Sequence, residues 1–275
     1  MEKTIDINLI RLFSGYILMI IPILVFIYYK VGLIKDTIIA ILRMTTQLLM
    51  VGLYLGYIFK LDNIIINISW VVIMSIIATH TIIKRSGLNL KMFFIPIFLS
   101  GIISIFITDA YILGFIIQPN NIFNARYFIP ITGMMLGNTI KNVIITLNAY
   151  YNKLNDEQST YRWRIANGAT KREALQPFIQ NALKIAFNPM IATTAIMGLI
   201  SLPGMMTGQI IGGNTPNTAI KYQILILITV FSSTVLNVIL AILFSDKISF
   251  DKYGNLKQNI FNYTTKKHIL IQKNK

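Results

Sequence analysis

The stretch YQILILITVFSSTVLNVILAILF, residues 222–244, decides the fold because its 23 residues include no charged side chain. At about 1.5 Å per residue, a helix of this length crosses a hydrocarbon core about 30 Å thick. Similar apolar stretches can be traced along the whole chain. They cover residues 12–29, 37–59, 64–83, 92–117, 127–150, 189–211 and 222–244. The sequence therefore predicts an all-α integral membrane protein with about seven transmembrane helices.

The composition excludes a water-soluble protein. Of 275 residues, 55% are hydrophobic and 13% are charged, against about 25% charged residues in typical soluble domains. The connectors between the apolar stretches are too short to hold a soluble enzyme domain. We predict one polytopic membrane domain over residues 1–250 and a basic, weakly ordered cytoplasmic tail over residues 251–275, where apolar residues are few.

The net charge of +15 is distributed unevenly between the connectors. With the N-terminus outside and the C-terminus inside, 18 of the 25 Lys and Arg residues fall on the cytoplasmic side and five on the outer side. Because cytoplasmic loops carry the excess of Lys and Arg, this count predicts an N-out/C-in orientation. The basic excess then reflects topology and an affinity for anionic lipids. It does not indicate a nucleic-acid partner.

The longest connector, residues 151–188, lies on the cytoplasmic side in this orientation. Its apolar residues recur at spacings of three and four between Arg and Lys, which predicts an amphipathic helix that is broken at Gly168 and Pro177. A helix lying in the lipid headgroup layer has the same pattern. The alternative is a docking element for a cytoplasmic partner. Its candidate residues are Arg162, Arg164, Gly168, Ala169, Lys171 and Arg172.

A second feature is a motif, G-M-M-x-G-[N/Q], that occurs at residues 133–138 and again at residues 204–209. The predicted orientation places both copies in the outer half of the membrane. Glycines four residues apart let helices approach closely, so Gly133, Gly137, Gly204 and Gly208 are candidate helix-packing residues. A proline precedes each motif, and Pro130 and Pro203 permit kinks or unwound turns.

The other side chains of the two motifs are candidates for a substrate pathway: Met134, Met135, Asn138, Met205, Met206 and Gln209. Thioethers suit soft metal ions such as Cu(I), and amide oxygens suit harder cations. Methionine also fills irregular gaps between helices without any ligand. The motif therefore does not identify a metal by itself, and helix packing alone would also explain it.

Four polar residues inside the predicted spans complete the candidate pathway: Arg43, Gln47, Asp109 and Lys141. Arg43 and Gln47 share a helix face, and Arg43 is close enough to the cytoplasmic side for its side chain to reach the headgroups. Asp109 and Lys141 differ in depth by only about 4 Å. We expect them to pair or to share a polar cavity, because each alone would be an unpaired buried charge.

The chain lacks the motifs of an enzyme or an ATPase. The sequence contains no G-x-x-x-x-G-K-[S/T], no H-E-x-x-H, no G-x-S-x-G and no cysteine. We expect no catalytic residue and no cofactor bound by this chain. The protein is then either a membrane subunit that takes its energy from a partner or a secondary carrier.

Several segments resemble the FetB-type iron-export ABC transporter permease family, an uncharacterised membrane family that includes plant aluminium-tolerance relatives. The resemblance rests on the sequences ARYFIP at 125–130, GMMLGN at 133–138 and SLPGMMTGQI at 201–210, followed by Pro216 and YQI at 222–224. Arg43 and Gln47 also occupy positions where that family has Arg and Gln. Gly168 and Ala169 match its EAA-like coupling segment, although Arg162 stands where the family has Glu.

The resemblance implies a multi-pass permease of the cell membrane that forms a homodimer, exports a metal ion such as iron and is driven by a separate cytoplasmic ABC ATPase. That ATPase would use the ATP and would dock on the loop that contains Arg162 and Lys171. An ion-coupled secondary transporter and a non-transporting membrane scaffold remain alternatives.

Overall fold

The computed structural model describes residues 8–200 and 202–261, and within these residues the chain is helical, with two isolated bridges and no β-strand. The all-α prediction is therefore confirmed. The α-helices are α1 (Leu9–Ser14), α2 (Ile20–Tyr28), α3 (Ile34–Leu61), α4 (Ile64–Arg85), α5 (Leu90–Tyr111), α6 (Ala125–Asp156), α7 (Gln158–Ala166), α8 (Lys171–Ala195), α9 (Gly204–Ile211) and α10 (Pro216–Ser249). A 3-10 turn, Gly15–Met19, joins α1 to α2, and a π-helical turn, Ile112–Ile117, continues α5.

Six helical segments of the described chain are long and apolar enough to cross a membrane. They are Ile10–Tyr28, Ile34–Leu61, Ile64–Arg85, Leu90–Ile117, Ala125–Asp156 and Pro216–Ser249. The prediction of a polytopic membrane protein is confirmed, and six of the predicted spans correspond to these segments.

The remaining predicted span, residues 189–211, is not one continuous helix. Helix α8 ends at Ala195, turns follow, and α9 begins at Gly204. Gly198 has a φ of +88°, which is outside the helical region, and Pro203 is extended and has no N–H to donate. We call residues 196–203 the break. At Pro130 the chain behaves differently, since this proline lies inside the continuous helix α6.

Helices α4, α5, α6 and α10 pack into a bundle, and α8 packs along α6. Ser100 Oγ of α5 donates a hydrogen bond to Asn237 Oδ1 of α10 at 3.0 Å, and a Cβ on Gly101 would lie 3.9 Å from Asn237 Nδ2. Small residues at this contact allow the two backbones to approach closely. Helices α2 and α3 are mostly exposed, and Ile58 of α3 packs with Ala125 and Ile129 of α6.

The largest apolar cluster lies at the end of the bundle where α6 ends and α7 begins, which we call the basic end. Its fully buried aromatic residues are Phe93, Tyr150 and Tyr151, and Phe178 of α8 is almost completely buried. Residues 250–261 belong to the same end, because Leu88 forms a bridge with Phe261 and Asn89 N donates to Ile260 O at 2.8 Å. The rest of the predicted tail, 262–275, lies outside the described residues.

The connector predicted to be an amphipathic helix forms α7 and α8, and the predicted interruption at Gly168 is confirmed. Gly168 has a φ of +89° between the two helices. The interruption expected at Pro177 is wrong, since Pro177 lies inside α8. Packing holds this part of α8 helical, because Ala174, Leu175 and Phe178 are buried in the core, which offsets the single hydrogen bond that a proline removes.

Helix α8 begins with a capping box. Glu173 N donates to Thr170 Oγ1 at 3.3 Å, and Thr170 N donates to Glu173 Oε2 at 2.8 Å. The side-chain hydrogen bond from Thr170, followed by the backbone one, holds the pKa of Glu173 below its ordinary value. This reciprocal arrangement satisfies N–H groups that a helix start otherwise leaves free.

Thr170→Ala should lower the free energy of unfolding by about 1 kcal/mol, the usual effect of losing such a cap, whereas Thr170→Ser should stay close to wild type. The measurement is SDS titration of the protein in mixed micelles. Because the carboxylate form of Glu173 accepts these bonds, their contribution is present at neutral pH and is lost as the pH falls through the lowered pKa. Equal stability of the Ala and Ser variants at neutral pH would show that the cap does not stabilise α8.

Candidate functional site

Asp109 lies in the interior of the bundle and is bonded to α6. Thr132 Oγ1 donates to Asp109 Oδ2 at 2.6 Å, and Asp109 is 4% exposed. Its other oxygen, Oδ1, is buried and has no hydrogen-bond partner among the described residues. A buried oxygen without a partner is costly, so this position is a candidate for a proton, a water or a ligand.

Lys141 does not pair with Asp109. It is exposed on α6, and the described residues give Asp109 a hydrogen bond from Thr132 and no ion pair. The reason is geometric. Lys141 is nine positions after Thr132, which at about 3.6 residues per turn places it roughly half a turn round the helix. The structure therefore corrects the expected pair: Thr132 faces Asp109, and Lys141 lies on the opposite face of α6.

Further polar groups line the interior of the bundle, beyond Asp109 in the direction in which α6 runs. The hydroxyls of Thr139 and Thr234 are hydrogen-bonded at 3.2 Å, which ties α6 to α10. A small cavity of about 10 Å³ lies between Ser75, Thr79, Thr139 and Asn237 together with apolar neighbours. This volume is about the minimum for a single water with several polar partners. The interior of the bundle thus contains several polar groups among its apolar side chains.

The first G-M-M motif divides between the core and an exposed face of α6. Met135 is buried in a second apolar cluster, which also contains Leu113 and Phe128, and Met134 is half-buried against this cluster. Asn138 is exposed, and its Nδ2 donates to Met134 O at 2.8 Å. A Cβ on Gly133 would lie 3.0 Å from Met74 Cε of α4, whereas nothing in the described chain lies within 4 Å of one on Gly137.

The second motif forms α9, which packs on α10. Met205 packs against the same apolar cluster as Met134 and Met135, so the structure does bring the two motifs to one cluster. Met206 is half-buried. Gln209 Oε1 is buried and unpartnered within the described part of the chain. Gly204 and Gly208 are exposed, with no described atom within 4 Å of an added Cβ.

Arg43 and Gln47 lie apart from both motifs, on the exposed surface of α3. Helix α3 meets the bundle mainly through Ile58, near its other end. The residues that the structure describes also include no group of three or more His, Asp or Glu side chains that could hold a metal ion. The structure therefore assembles Met134, Met135 and Met205 with Asn138 and Gln209 nearby in sequence, and it leaves Arg43, Gln47 and Lys141 on exposed faces.

The predicted docking residues cluster at the basic end. Arg162 and Gly168 are exposed around α7, as are Lys171 and Arg172 at the start of α8, whereas Arg164 and Ala169 are half-buried. Trp163, beside them, is 67% exposed. Lys171 Nζ lies 3.8 Å from the centre of the Phe250 ring and donates to Asp246 O at 3.4 Å. Partial burial lowers the pKa of Lys171, and the nearby Asp246 partly offsets this effect.

Comparison with known proteins identifies the family to which this chain belongs. Residues 9–250 match the family model described as "Uncharacterised protein family (UPF0014)". The chain belongs to the UPF0014 family. The family resemblance drawn from the motifs is therefore confirmed, and the motif-bearing segments all lie within the matched region.

Three known proteins are similar to this UPF0014 chain. The "UPF0014 membrane protein YjkA" of Bacillus subtilis is 32% identical over 235 residues, which cover 84% of this chain and 91% of the relative. The "Probable iron export permease protein FetB" of Escherichia coli is 32% identical over 225 residues, covering 82% and 85%. "Protein ALUMINUM SENSITIVE 3" of Arabidopsis thaliana is 37% identical over 105 residues, covering 38% of each chain. No solved structure matches this UPF0014 chain.

Sequence reasoning missed several polar residues of this UPF0014 protein that join helices. Asn142 Nδ2 of α6 lies 3.3 Å from Met190 Sδ of α8 and donates to it. Tyr150 Oη donates to both carboxylate oxygens of Asp246, at 2.9 and 3.0 Å. The signal was available for Asn142, which is polar inside a predicted span. Nothing in the sequence pointed from Tyr150 to Asp246, 96 positions later.

Thr132→Val should lower the free energy of unfolding by about 1 kcal/mol, because it removes the one hydrogen bond to the Asp109 carboxyl while keeping the side-chain shape. Thr132→Ser keeps the hydroxyl and is the matched control. The double variant Asp109→Leu/Thr132→Val should recover much of the loss, since it replaces both partners by apolar groups. SDS titration measures all three. A Thr132→Val protein as stable as the Ser variant would contradict this account of Asp109.

Proposed function

We propose that this protein is the membrane-spanning permease subunit of an ATP-driven exporter of a metal ion such as iron, energised by a separate cytoplasmic ABC ATPase. It is placed in the cell membrane with the N-terminus outside and the C-terminus inside, so that the basic end faces the cytoplasm. The chain itself carries out no catalysis and binds no cofactor. ATP is used by the partner subunit.

The observation that carries this proposal is that one helix joins the candidate dock to the second motif. Helix α8 has 25 residues from Lys171 to Ala195, about 38 Å at about 1.5 Å per residue. It begins among the basic docking residues, and it ends directly before the break and α9. The relative named as a probable iron export permease supports the metal cargo, and family membership supports the permease.

The geometry gives this function a mechanism. When two ATPase subunits close on ATP, they push the docking residues around α7, and α8 moves along α6. The two helices are joined by the hydrogen bond from Asn142 of α6 to Met190 of α8. Movement of α8 shifts the break and α9 relative to the Met134 face of α6. The two G-M-M motifs would then open alternately to the two sides of the membrane, as an alternating-access transporter requires.

A second copy of the chain completes the proposed permease. The side chains around the break are exposed in the single chain, with Leu199 at 89% and Ile200 at 78%. A Cβ added at Gly204 or Gly208 would meet no described atom within 4 Å. Small residues at an exposed helix surface suit close helix packing inside a membrane. We assign this face to the homodimer and to the pathway between its two copies, with anionic lipids around the basic ends.

An ion-coupled secondary transporter is the second candidate, and one observation favours it. The buried carboxyl of Asp109 has a free oxygen and resembles the acidic groups that proton-coupled carriers use. Transport that persists without ATP and disappears in Asp109→Asn would establish this alternative. A non-transporting scaffold would show neither dependence.

Metal export should require both the permease and the ATPase. We expect cell-associated iron, measured by mass spectrometry after iron loading, to rise when either gene is deleted and to rise no further when both are deleted. Immunoblots of membranes without the ATPase should still contain the permease. Export that continues without the ATPase would contradict the ATP-driven mechanism.

The thioethers of the second motif should contribute to metal flux. Met205→Leu and Met206→Leu keep the side-chain volume and remove the sulfur, and each should lower ATP-driven efflux from cells about fivefold if a sulfur contact worth ~1 kcal/mol is lost. Met44→Leu, on the exposed surface of α3, is the matched control. Unchanged efflux in all three variants would assign Met205 and Met206 to packing alone.

A further inference from the structure

A turn at residues 250–256 lies beside the docking residues and lines one cavity with them. It follows α10, and Phe250 and Leu256 form an antiparallel bridge that closes it. Both side chains are buried, whereas Tyr253 at the tip is 89% exposed. An exposed aromatic ring on a well-held turn offers a candidate contact for a partner, because aromatic rings contribute strongly to binding when a partner covers them.

The turn is held by its own polar groups. Asp251 Oδ1 accepts from Tyr253 N at 2.9 Å and from Asn255 N at 2.8 Å, and Asp251 N donates to Asn255 O at 2.9 Å. Gly254 has a φ of +78°, a conformation that other residues rarely adopt. The backbone hydrogen bond from Asn255 leads the contacts that lower the pKa of Asp251. The one acid of the turn is thus engaged within the turn.

The turn is also fixed to the dock. Tyr161 Oη of α7 donates to Gly254 O at 2.9 Å, and the ring of Tyr161 lies 5.8 Å from that of Phe250. Lys171 Nζ, at the start of α8, lies over the same Phe250 ring, 3.8 Å from its centre. Helices α7 and α8 and the turn therefore form one unit at the basic end.

Between them lies an open cavity of about 460 Å³. Ile165, Ala166 and Ala169 make its lining partly apolar, Arg162 and Lys171 contribute positive charge, and Tyr253 stands on the opposite side. None of the described residues that line the cavity is acidic, so it presents an apolar surface with a cationic border. Its chemical complement is an apolar side chain flanked by Asp or Glu.

We propose that the 250–256 turn is the second wall of the ATPase dock, so that a segment of the ATPase with an apolar residue between acidic ones binds between Tyr253 and α7. This inference rests on the proposed function, because it names the surface on which the ATPase acts. A lipid headgroup needs only the charges of Arg162 and Lys171. A cavity with apolar lining and a fixed aromatic wall fits a protein segment.

The absence of cysteine from the sequence permits a direct test, since Tyr253→Cys creates a single reactive thiol. The full-length permease is placed in inside-out vesicles and labelled with a membrane-impermeant maleimide, with and without saturating purified ATPase that supports its transport. We expect the ATPase to slow labelling of Tyr253→Cys about tenfold. Gln258→Cys is the matched control, because Gln258 is exposed in the same segment and outside the cavity, and its labelling should not change.

A second measurement is the affinity for the ATPase. Tyr253→Ala should raise the Kd of the ATPase for permease vesicles about tenfold, which corresponds to ~1.4 kcal/mol. Gln258→Ala should leave it unchanged. Normal insertion and thermal stability of Tyr253→Ala confirm that the comparison concerns the interface, and the cysteine-labelling result stands independently of this variant.

Three outcomes would overturn the proposal, and they differ from one another. Protection of Ala166→Cys on α7 with no protection of Tyr253→Cys would mean that the ATPase docks without the turn. Protection of Tyr253→Cys by phosphatidylglycerol vesicles, compared with phosphatidylcholine vesicles and without ATPase, would assign the surface to anionic lipid. Failure of the wild-type permease to bind the ATPase would refute the proposed function together with the dock.

Discussion

A backbone inside a hydrocarbon layer has to satisfy its hydrogen bonds within the protein, and this constraint organises the whole chain. The six candidate spans meet it as continuous helices. The break is not a continuous helix, because Gly198 and Pro203 interrupt the helical pattern there, although the N–H groups of Leu199 and Ile200 both bond to Ile196 O. Non-helical backbone at membrane depth is tolerated where protein buries it or where it lines a water-filled cavity. In the proposed homodimer, the second copy and the pathway supply those surroundings.

The hydrocarbon layer also changes which interactions hold the helices together. Lipid tails are as apolar as leucine, so burial of apolar surface gives little drive for helices to associate, and close packing and hydrogen bonds take over. The interior bonds between Ser100 and Asn237, between Thr139 and Thr234, and between Asp109 and Thr132 join α5, α6 and α10 in this way. Helices α2 and α3 have fewer such ties. Their exposed apolar surfaces suit contact with lipid.

The sequence predicted features that depend on neighbouring residues better than features that depend on contacts between distant residues. The apolar stretches predicted the ends of six spans to within six residues, and Gly168 marked the end of α7, because both signals are local. Pro177 was misleading because tertiary packing keeps α8 helical around it. The partner of Asp109 depended on which face of α6 meets α5. The depth estimate placed Lys141 level with Asp109, whereas Asp109 meets Thr132, nine residues earlier on α6, which is roughly 13 Å at about 1.5 Å per residue. The estimate was therefore wrong in height as well as in helix rotation.

The contacts at the basic end determine how a force on the dock would be divided. Lys171 touches both the end of α10, at Asp246 O, and the ring of Phe250, so these two contacts link the start of α8 to the end of α10. Tyr150 of α6 donates to the carboxylate of Asp246 on α10, so α6 is connected to the same group of contacts. One route then runs along α8 to the break, and the other runs along α10. Because α9 packs on α10 and follows the break, both routes meet at the second G-M-M motif. In the proposed mechanism, a push on α7 would therefore reach α9 along both helices, and the contacts around Lys171 would set how the movement is divided between them.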